Sequence, residues 1–373
     1  MDETLIIGGG PAGASLAIRL AVAGWRVRLI EGQAGPHEKV CGEFLSYEAE
    51  RYLGEVGVDP LALGATMVDT MALCLGVRRA SAVVPFRALS LSRRVMDEAL
   101  LVAAAGAGVL VTYGRRAAGL DRAGAGWRVR LVGGETIDAA RVVLATGKHD
   151  LRGWGRPPGL QPDLIGFKQH WRLAPAEAAA LHSTVELHLF PGGYAGLQPT
   201  TNGMANLCLV VRGAAFAAVG RNWDRLLTAL AAASPGFAAR LRGAEPDSAK
   251  PFAVASIPYG HVRRSGDGLW RLGDQAAVIP SLAGEGMAIA LHSGKLAAEA
   301  MLSGATVDAY QRALARDVGR QVGRATWVSR ALVRPWGQAA AIRVAGAVPT
   351  SMTATAKATR IPQRALRGCA GSR

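Results

Sequence analysis

Cysteine is scarce. The 373 residues hold four, Cys41, Cys74, Cys208 and Cys369, with no C-x-x-C pair, which excludes a disulfide framework and a cysteine-built zinc site. No group of His, Cys and acidic residues has metal-ligand spacing, so no metal is expected. No apolar run reaches the ~18 residues of a membrane span. The longest, Ala99 to Val111, is short and broken by Gly106 and Gly108. The chain opens Met1-Asp2-Glu3-Thr4 without a basic leader, so a cytoplasmic protein is expected. Internal repeats and low-complexity linkers are absent. Acid is missing from one region: Gln311 to Arg373 carries twelve Lys/Arg and one acid, Asp317, while the other 310 residues hold only +4 of the net +15. What is present is globular material, 50% hydrophobic and 19% charged, enough for one large or two interlocked domains.

The first thirty-one residues organise the rest. Leu5-Ile6-Ile7 is a short apolar strand. It runs into Gly8-Gly9-Gly10-Pro11-Ala12-Gly13, a G-x-G-x-x-G turn, and then into Ala14 to Ala21, a stretch of mostly good helix formers stopped by Gly24. A second strand, Val27 to Ile30, delivers Glu31. In such a turn Gly8 permits the tight bend, Gly10 lets backbone approach a pyrophosphate, and Gly13 lets helix pack on strand. The helix N-terminus around Pro11 and Ala12 offers free N–H groups to phosphate. Glu31 is placed to accept from ribose hydroxyls. The order strand, turn, helix, strand, acid reads as a dinucleotide site.

Further along, Tyr47 to Val56 and the stretch from Arg93 read as helices, the second with Ser92 as N-cap. Met67 to Val84 reads as one or two strands, and Trp127 to Leu131 alternates as a strand. Val142 to Gly147 is a buried strand ending in Ala145-Thr146-Gly147. Leu164 to Leu173, Val185 to Leu197 and Ala205 to Val211 are longer strands, broken by Pro191-Gly192-Gly193 and Thr201-Asn202-Gly203, with no crossover-length helix between them, so they should be antiparallel. Trp223 to Leu241 is helical with a break at Pro235-Gly236, Gly286 to Met301 is a helix, and so is Val307 to Val333.

Three later features favour FAD over NAD. Ala145-Thr146-Gly147 gives a second strand-to-turn approach. Gly273-Asp274 puts a carboxylate after a late strand, where it can hold a ribityl or ribose hydroxyl; a plain surface turn is the alternative. Pro280 to Met287, containing Gly284-Glu285-Gly286, is a glycine-rich helix start able to press N–H groups against the flavin carbonyl edge. With Ser92-Arg93-Arg94-Val95-Met96-Asp97, these motifs resemble the FAD-dependent oxidoreductases that group geranylgeranyl reductases, flavin-dependent halogenases and hydroxylases of the p-hydroxybenzoate hydroxylase type, over about residues 4 to 300. The resemblance implies that Arg93 reaches the FAD phosphates or ribose, Asp274 the ribityl chain, and that Pro280 lies near the reactive flavin edge. It implies an α/β fold: a Rossmann-type FAD-binding domain (1–64, 89–155 and 254–305) interrupted by a substrate domain with an antiparallel sheet (65–88 and 156–253), plus a basic C-terminal helical region and tail (306–373).

Lys39-Val40-Cys41-Gly42-Glu43 is similar to the Cys-Gly turn of geranylgeranyl reductases, and Phe190 to Leu197 to their substrate-sheet turn. The halogenase string Trp-x-Trp-x-Ile-Pro is absent. With only one dinucleotide fingerprint, electrons are expected from transient NAD(P)H or a partner reductase. The expected reaction is reduction of a C=C bond in an isoprenoid or polyketide, with hydroxylation of an aromatic or polyketide substrate as the rival; a non-catalytic flavin-binding protein is the alternative of another class. Candidate catalytic groups are few. Cys41 is either a proton donor or a buried filler. Glu43 is either an acid with a raised pKa or a helix-start carboxylate. Lys168 and His170 share one strand face, and His170 is either catalytic or a satisfied sheet histidine. Tyr194 follows two glycines and can donate to a substrate carbonyl. Phe167, Trp171, Leu187, Leu189, Phe190, Leu197, Leu207 and Leu209 suit either a pocket for a lipophilic substrate or plain core.

Arg312, Arg316, Arg320 and Arg324 recur every four residues, with Leu314, Val318, Val322 and Ala325 on another face. This basic amphipathic helix suits either peripheral contact with an anionic membrane or docking on the protein itself. Nucleic acid is the less favoured partner, oligomeric state is undetermined, and Thr350 to Arg373 is expected to be mobile.

Overall fold

The structure, a computed structural model, describes residues 3–366. Thr4–Ile7 is the centre of a five-stranded parallel sheet. It is flanked by Arg141–Leu144 and Val27–Ile30, and the sheet is completed by Trp270–Arg271 and Leu110–Thr112. All four residues of Thr4–Ile7 are buried, as the middle of a parallel sheet requires. Helices Pro11–Val22, Arg93–Gly106 and Gly286–Leu302 pack on it, and Ser92 Oγ caps the second by accepting from Arg94 N. A three-stranded antiparallel sheet, formed between 117 and 139, covers the other side.

The second layer is an eight-stranded sheet. Leu164–Arg172, Ala205–Arg212, Gly193–Pro199 and Thr184–Phe190 follow one another antiparallel in space. The stretch Val185 to Leu197 is a hairpin that turns at Pro191-Gly192, where its break was expected. The sheet is mixed rather than wholly antiparallel, because Thr184–Phe190 pairs parallel with Thr70–Leu75. A short helix, Pro175–Leu181, carries the chain across to allow that pairing.

Successive residues of these strands face opposite sides. One side packs under the helices of 213–240, where Phe167, Phe190, Leu197, Leu207 and Phe237 form a core. The other side faces the parallel-sheet layer and a helical pair, Val307–Leu332 and Pro335–Ala347. The apolar face of the first helix, Leu314, Val318, Val322 and Ala325, is buried in the main core. The expectation of a mobile tail from Thr350 is corrected: Thr350–Ala358 and Gln363–Leu366 are helical, and Ile361 and Leu366 are buried. Residues 367–373, with Cys369, lie outside the described residues.

Candidate active site

The glycine turn is shaped by contacts that leave no room for side chains. Gly8 has φ +111°, and a Cβ on it would lie 2.4 Å from the Ala145 carbonyl oxygen. One on Gly13 would lie 2.1 Å from Gly8 O. Gly10 is different: its missing Cβ points to open space, 3.7 Å from Arg93 Nη2 and 4.0 Å from Lys39 Nζ. The helix starts at Pro11 without a side-chain cap, so its first N–H groups and two cations face one hollow. Asp97 holds both cations, by a bidentate pair with Arg93 (2.8 and 2.9 Å) and by Lys39 at 3.1 Å. Glu31 accepts from Gly9 N (2.9 Å) and Gln33 N (3.1 Å), one bond per carboxylate oxygen, and each oxygen keeps capacity for a hydroxyl donor.

The same hollow is walled by Thr146, Gly147, Gly273, Asp274, Gly284, Gly286 and Met287, a convergence of three separate turns. Gly273 N donates to Ser293 Oγ (2.8 Å), and its missing Cβ would lie 3.2 Å from Ala12 Cβ. Gly284 has φ +64° and abuts the Phe44 ring, where a Cβ would come within 2.6 Å. Helix Gly286–Leu302 also begins uncapped. Pro280 is buried between the wall residues Ile279 and Ser281. A phosphate-shaped cradle at one end and an open helix N-terminus at the other fit an FAD molecule laid between them.

Over this hollow runs the loop Lys39 to Glu43. Its carbonyls are tied down by Lys148 Nζ on Val40 O (2.9 Å) and Asn206 Nδ2 on Cys41 O (3.1 Å). Cys41 and Gly42 line the wall, and Glu43 N lies 3.4 Å from Cys41 Sγ. Glu43 has a left-handed backbone, φ +60°, and no solvent exposure. Four groups lock it: Arg93 N (2.9 Å), Thr200 Oγ1 (3.0 Å), His170 Nε2 (2.8 Å) and Lys168 Nζ. Burial pushes this carboxyl up, but the His170 bond and the Lys168 charge outweigh burial and hold it at about 2. The reading of Glu43 as an acid with a raised pKa is therefore corrected: at neutral pH it has no proton to give and serves as the anchor of the loop. His170 is the satisfied sheet histidine, bonded to Glu43 and absent from the cavity wall. Glu38, Glu43 and His170 lie close enough to hold a metal, but Lys168 Nζ bonds both carboxylates and fills the cationic position itself. Glu38, Lys168 and Thr200 escaped sequence reasoning as partners, since nothing local links positions 43, 168 and 200.

The cavity, about 1260 Å³, continues from the glycine turns to the large sheet. That exceeds the ~300–1,000 Å³ usual for one ligand, so a second molecule fits beside a cofactor. Tyr194 lines it, with its hydroxyl 3.3 Å from Ser281 Oγ, and burial pushes that phenol up, so it stays protonated. Tyr259, also on the wall, is pushed up likewise. Burial pushes the wall thiol Cys208 to about 12. The apolar lining differs from expectation. Leu187 lines the cavity, but Phe167, Phe190, Leu197, Leu207 and Leu209 belong to the core on the opposite face, Leu209 pairing directly with Phe167 and reaching the wall only at its edge. Their places are taken by Leu73, Ile257, Val328, Ala341 and Met352, the last three from the C-terminal helices.

Comparisons agree with this geometry. A family profile described as pyridine nucleotide-disulphide oxidoreductase matches residues 2–181. "Digeranylgeranylglycerophospholipid reductase 2" of Methanopyrus kandleri is 29% identical over 80% of this chain and 76% of its own length. "Menaquinone reductase" of Mycolicibacterium smegmatis is 27% identical over 82% of this chain and 78% of its own. Among solved structures, halogenase PltM in complex with phloroglucinol and FAD has a TM-score of 0.76 at 16% identity, covering 95% of this chain and 82% of that one. PqsL of P. aeruginosa in complex with 2-aminobenzoylacetate has 0.72 at 17%, covering 92% and 99%; at such identities these two share the fold. The fold, the cradle at Gly8 to Gly13 and the sequence relatives converge: the protein is an FAD-dependent oxidoreductase, with FAD as its cofactor.

Proposed function

We propose that the protein reduces a carbon–carbon double bond in a lipophilic substrate of isoprenoid or polyketide type, with reducing equivalents drawn from NAD(P)H or a partner reductase. The observation that carries this reading is the single cavity joining the FAD cradle to an apolar wall of sheet and C-terminal helices. The names of the two sequence relatives, both reductases, support it. Segments 1–64, 89–155 and 254–305 would hold the cofactor, and 65–88 with 156–253 the substrate. FAD, when bound, supplies the hydride. The backbone around Gly10 and Pro11, with Arg93, would bind its phosphates, Glu31 and Asp274 its hydroxyls, and the N–H groups of Gly286 and Met287 its ring edge. Glu43 would fix the loop that carries Gly42 and Cys41. Cys41 and Tyr194 are the wall groups assigned to hand over the proton.

The test is anaerobic turnover. Chemically reduced holoenzyme is mixed with a geranylgeranyl lipid or a polyprenyl quinone, and the product is examined by mass spectrometry. Gain of two hydrogens is expected, with Tyr194→Phe or Cys41→Ser slowing the step ~10²-fold or more if that residue gives the proton. Turnover only with oxygen, with one oxygen atom gained, would replace this reading with the monooxygenase one.

We also propose peripheral contact with a membrane, relocated from the arginine stripe to the cavity mouth. Among the described residues no helix is long and apolar enough to cross a membrane. Trp327 and Trp336 both line the cavity yet are 71% and 60% exposed. Arg324 and Arg330 flank Trp327 at helical spacing, and Arg343 shares a face with Trp336. Aromatic rings beside arginines suit an anionic interface. Trp327→Ser/Trp336→Ser should abolish flotation with phosphatidylglycerol vesicles while flavin content is kept; unchanged flotation would remove the idea.

A further inference from the structure

A second cavity, about 540 Å³, lies apart from the glycine turns. One wall is the face of helix Val307–Leu332 that carries Arg316, Arg320 and Arg324. Lys357, Arg360 and Arg364, from the segment that folds back over that helix, form the opposite wall. Six Lys/Arg thus face two acids, Asp317 and Glu48. Both acids are already engaged, Asp317 with His292 Nε2 (3.0 Å) and Glu48 with Arg360 Nη2 (3.0 Å). Arg360 also meets Glu285. Arg316, Arg320, Lys357 and Arg364 have no side-chain partner among the described residues, and Arg324 makes one bond, to Ala358 O (3.2 Å).

A surplus of cations on a surface is common and by itself indicates nothing. Here a second observation points inward. Gln321 lines the same cavity, is 3% exposed, and its Nε2 finds no hydrogen-bond acceptor among the described residues. Arg360 Nε is buried without an acceptor as well. A buried donor left unpaired is costly. An anion seated between the two walls relieves repulsion among the arginines and offers the acceptor that these buried donors, closed to solvent as they stand, reach by a turn of the side chain. Guanidinium groups recognise phosphate with charge-assisted, often paired hydrogen bonds. The volume exceeds what a bare phosphate fills and leaves space for an attached organic group.

We propose that this cavity is a binding site for a phosphate ester, its phosphoryl group held by Arg316, Arg320 and Lys357 and accepting a hydrogen bond from Gln321 Nε2. The site shares no residue with the glycine turns, though two of its wall residues, Arg360 and Ile361, bond Glu285 between Gly284 and Gly286. It touches the main cavity only through Phe86 and Arg360, which line both and stack at 4.2 Å.

The test is titration calorimetry on the FAD-loaded full chain at low salt, with three probes: inorganic phosphate, dihexanoylphosphatidic acid below its micelle concentration, and adenosine 2′,5′-bisphosphate. At least one probe should bind, and the tighter of the two esters names the source as lipid headgroup or nucleotide. Arg316→Gln/Arg320→Gln should weaken binding by roughly tenfold or more, with flavin content unchanged. Arg312→Gln, an exposed member of the same stripe outside the cavity, should change it less than about twofold. If the double variant does not fold, Arg364→Gln, on the terminal turn, replaces it with the same expectation. Binding of no probe, or equal weakening by Arg312→Gln, overturns the proposal.

Discussion

Glu43 and Glu186 are both buried carboxylates, each gripped by a histidine and by cationic side chains, Lys168 for the first and Arg79 and Arg240 for the second, and they meet the large sheet from opposite faces. Glu186 accepts from Arg240 at 3.0 and 3.2 Å and from Arg79, and lies 3.2 Å from His188 Nε2. Its partners tie the helices of 175–181 and 235–240 to the face of the sheet turned away from the main cavity, while its strand neighbours Val185 and Leu187 line that cavity. Glu43 instead hangs a left-handed loop over the FAD cradle. Burial pushes both carboxyls up, and in both the partners prevail and hold them low. A perturbed, buried His–Glu pair is therefore no signature of a site. What separates the two is the backbone that each holds in place.

The largest expected effect tests that separation. Removing the charge of a buried, paired carboxylate costs about 3–5 kcal/mol, so Glu43→Gln and Glu186→Gln should lower the thermal midpoint by comparable amounts. Only Glu43→Gln should also lose bound flavin, read as the ratio of visible to ultraviolet absorbance after gel filtration. Equal flavin loss in both would erase the distinction between loop anchor and helix anchor.

A sharper version uses glycines of the cradle. A Cβ at Gly13 strikes Gly8 O, which is backbone and cannot yield, so Gly13→Ala should impair both folding and flavin content. A Cβ at Gly10 meets only the ends of two flexible cations at 3.7 and 4.0 Å. Gly10→Ala should keep the apoprotein's melting point and weaken FAD by about tenfold or more, at least ~1.4 kcal/mol. Equal destabilisation of the two apoproteins would mean that Gly10 serves the fold and not the ligand.

These contrasts explain what could be read from the chain. The cradle was legible because its physics is local: a tight turn, a close helix and a strand-end acid lie within thirty-one residues. The later turns at Gly147, Gly273 and Gly284 were legible as motifs, and the register Ile7↔Leu144 then brings two of the strand ends together. The Glu43 anchor was not legible, since His170 lies 127 positions away and no periodicity connects them. Strand alternation showed that Lys168 and His170 share a face but not which face meets the cavity, and so the aromatic and leucine residues read equally as pocket or as core. The stripe of Arg312 to Arg324 suggested an outward surface; its apolar partner face is core, and the chain beyond 350 folds back to make a pocket over it.

The smallest effect separates the two anchors by pH alone. A carboxyl held at about 2 in the folded protein and near its ordinary 4.5 in the unfolded chain leaves the folded state with fewer protons between those values. Its stabilisation is full above about 4.5 and is lost as pH falls toward 2. Glu186 is held low as well, so both carboxylates feed the acid limb of the stability curve, and either Gln variant should flatten it. Flavin release, followed by the rise of free-flavin fluorescence, responds only to the loop. In wild type and in Glu186→Gln, release should therefore set in over the same acid window, while Glu43→Gln should show weakened retention already at neutral pH and little further acid dependence. A shift of the release window in Glu186→Gln would show that the two faces of the sheet communicate.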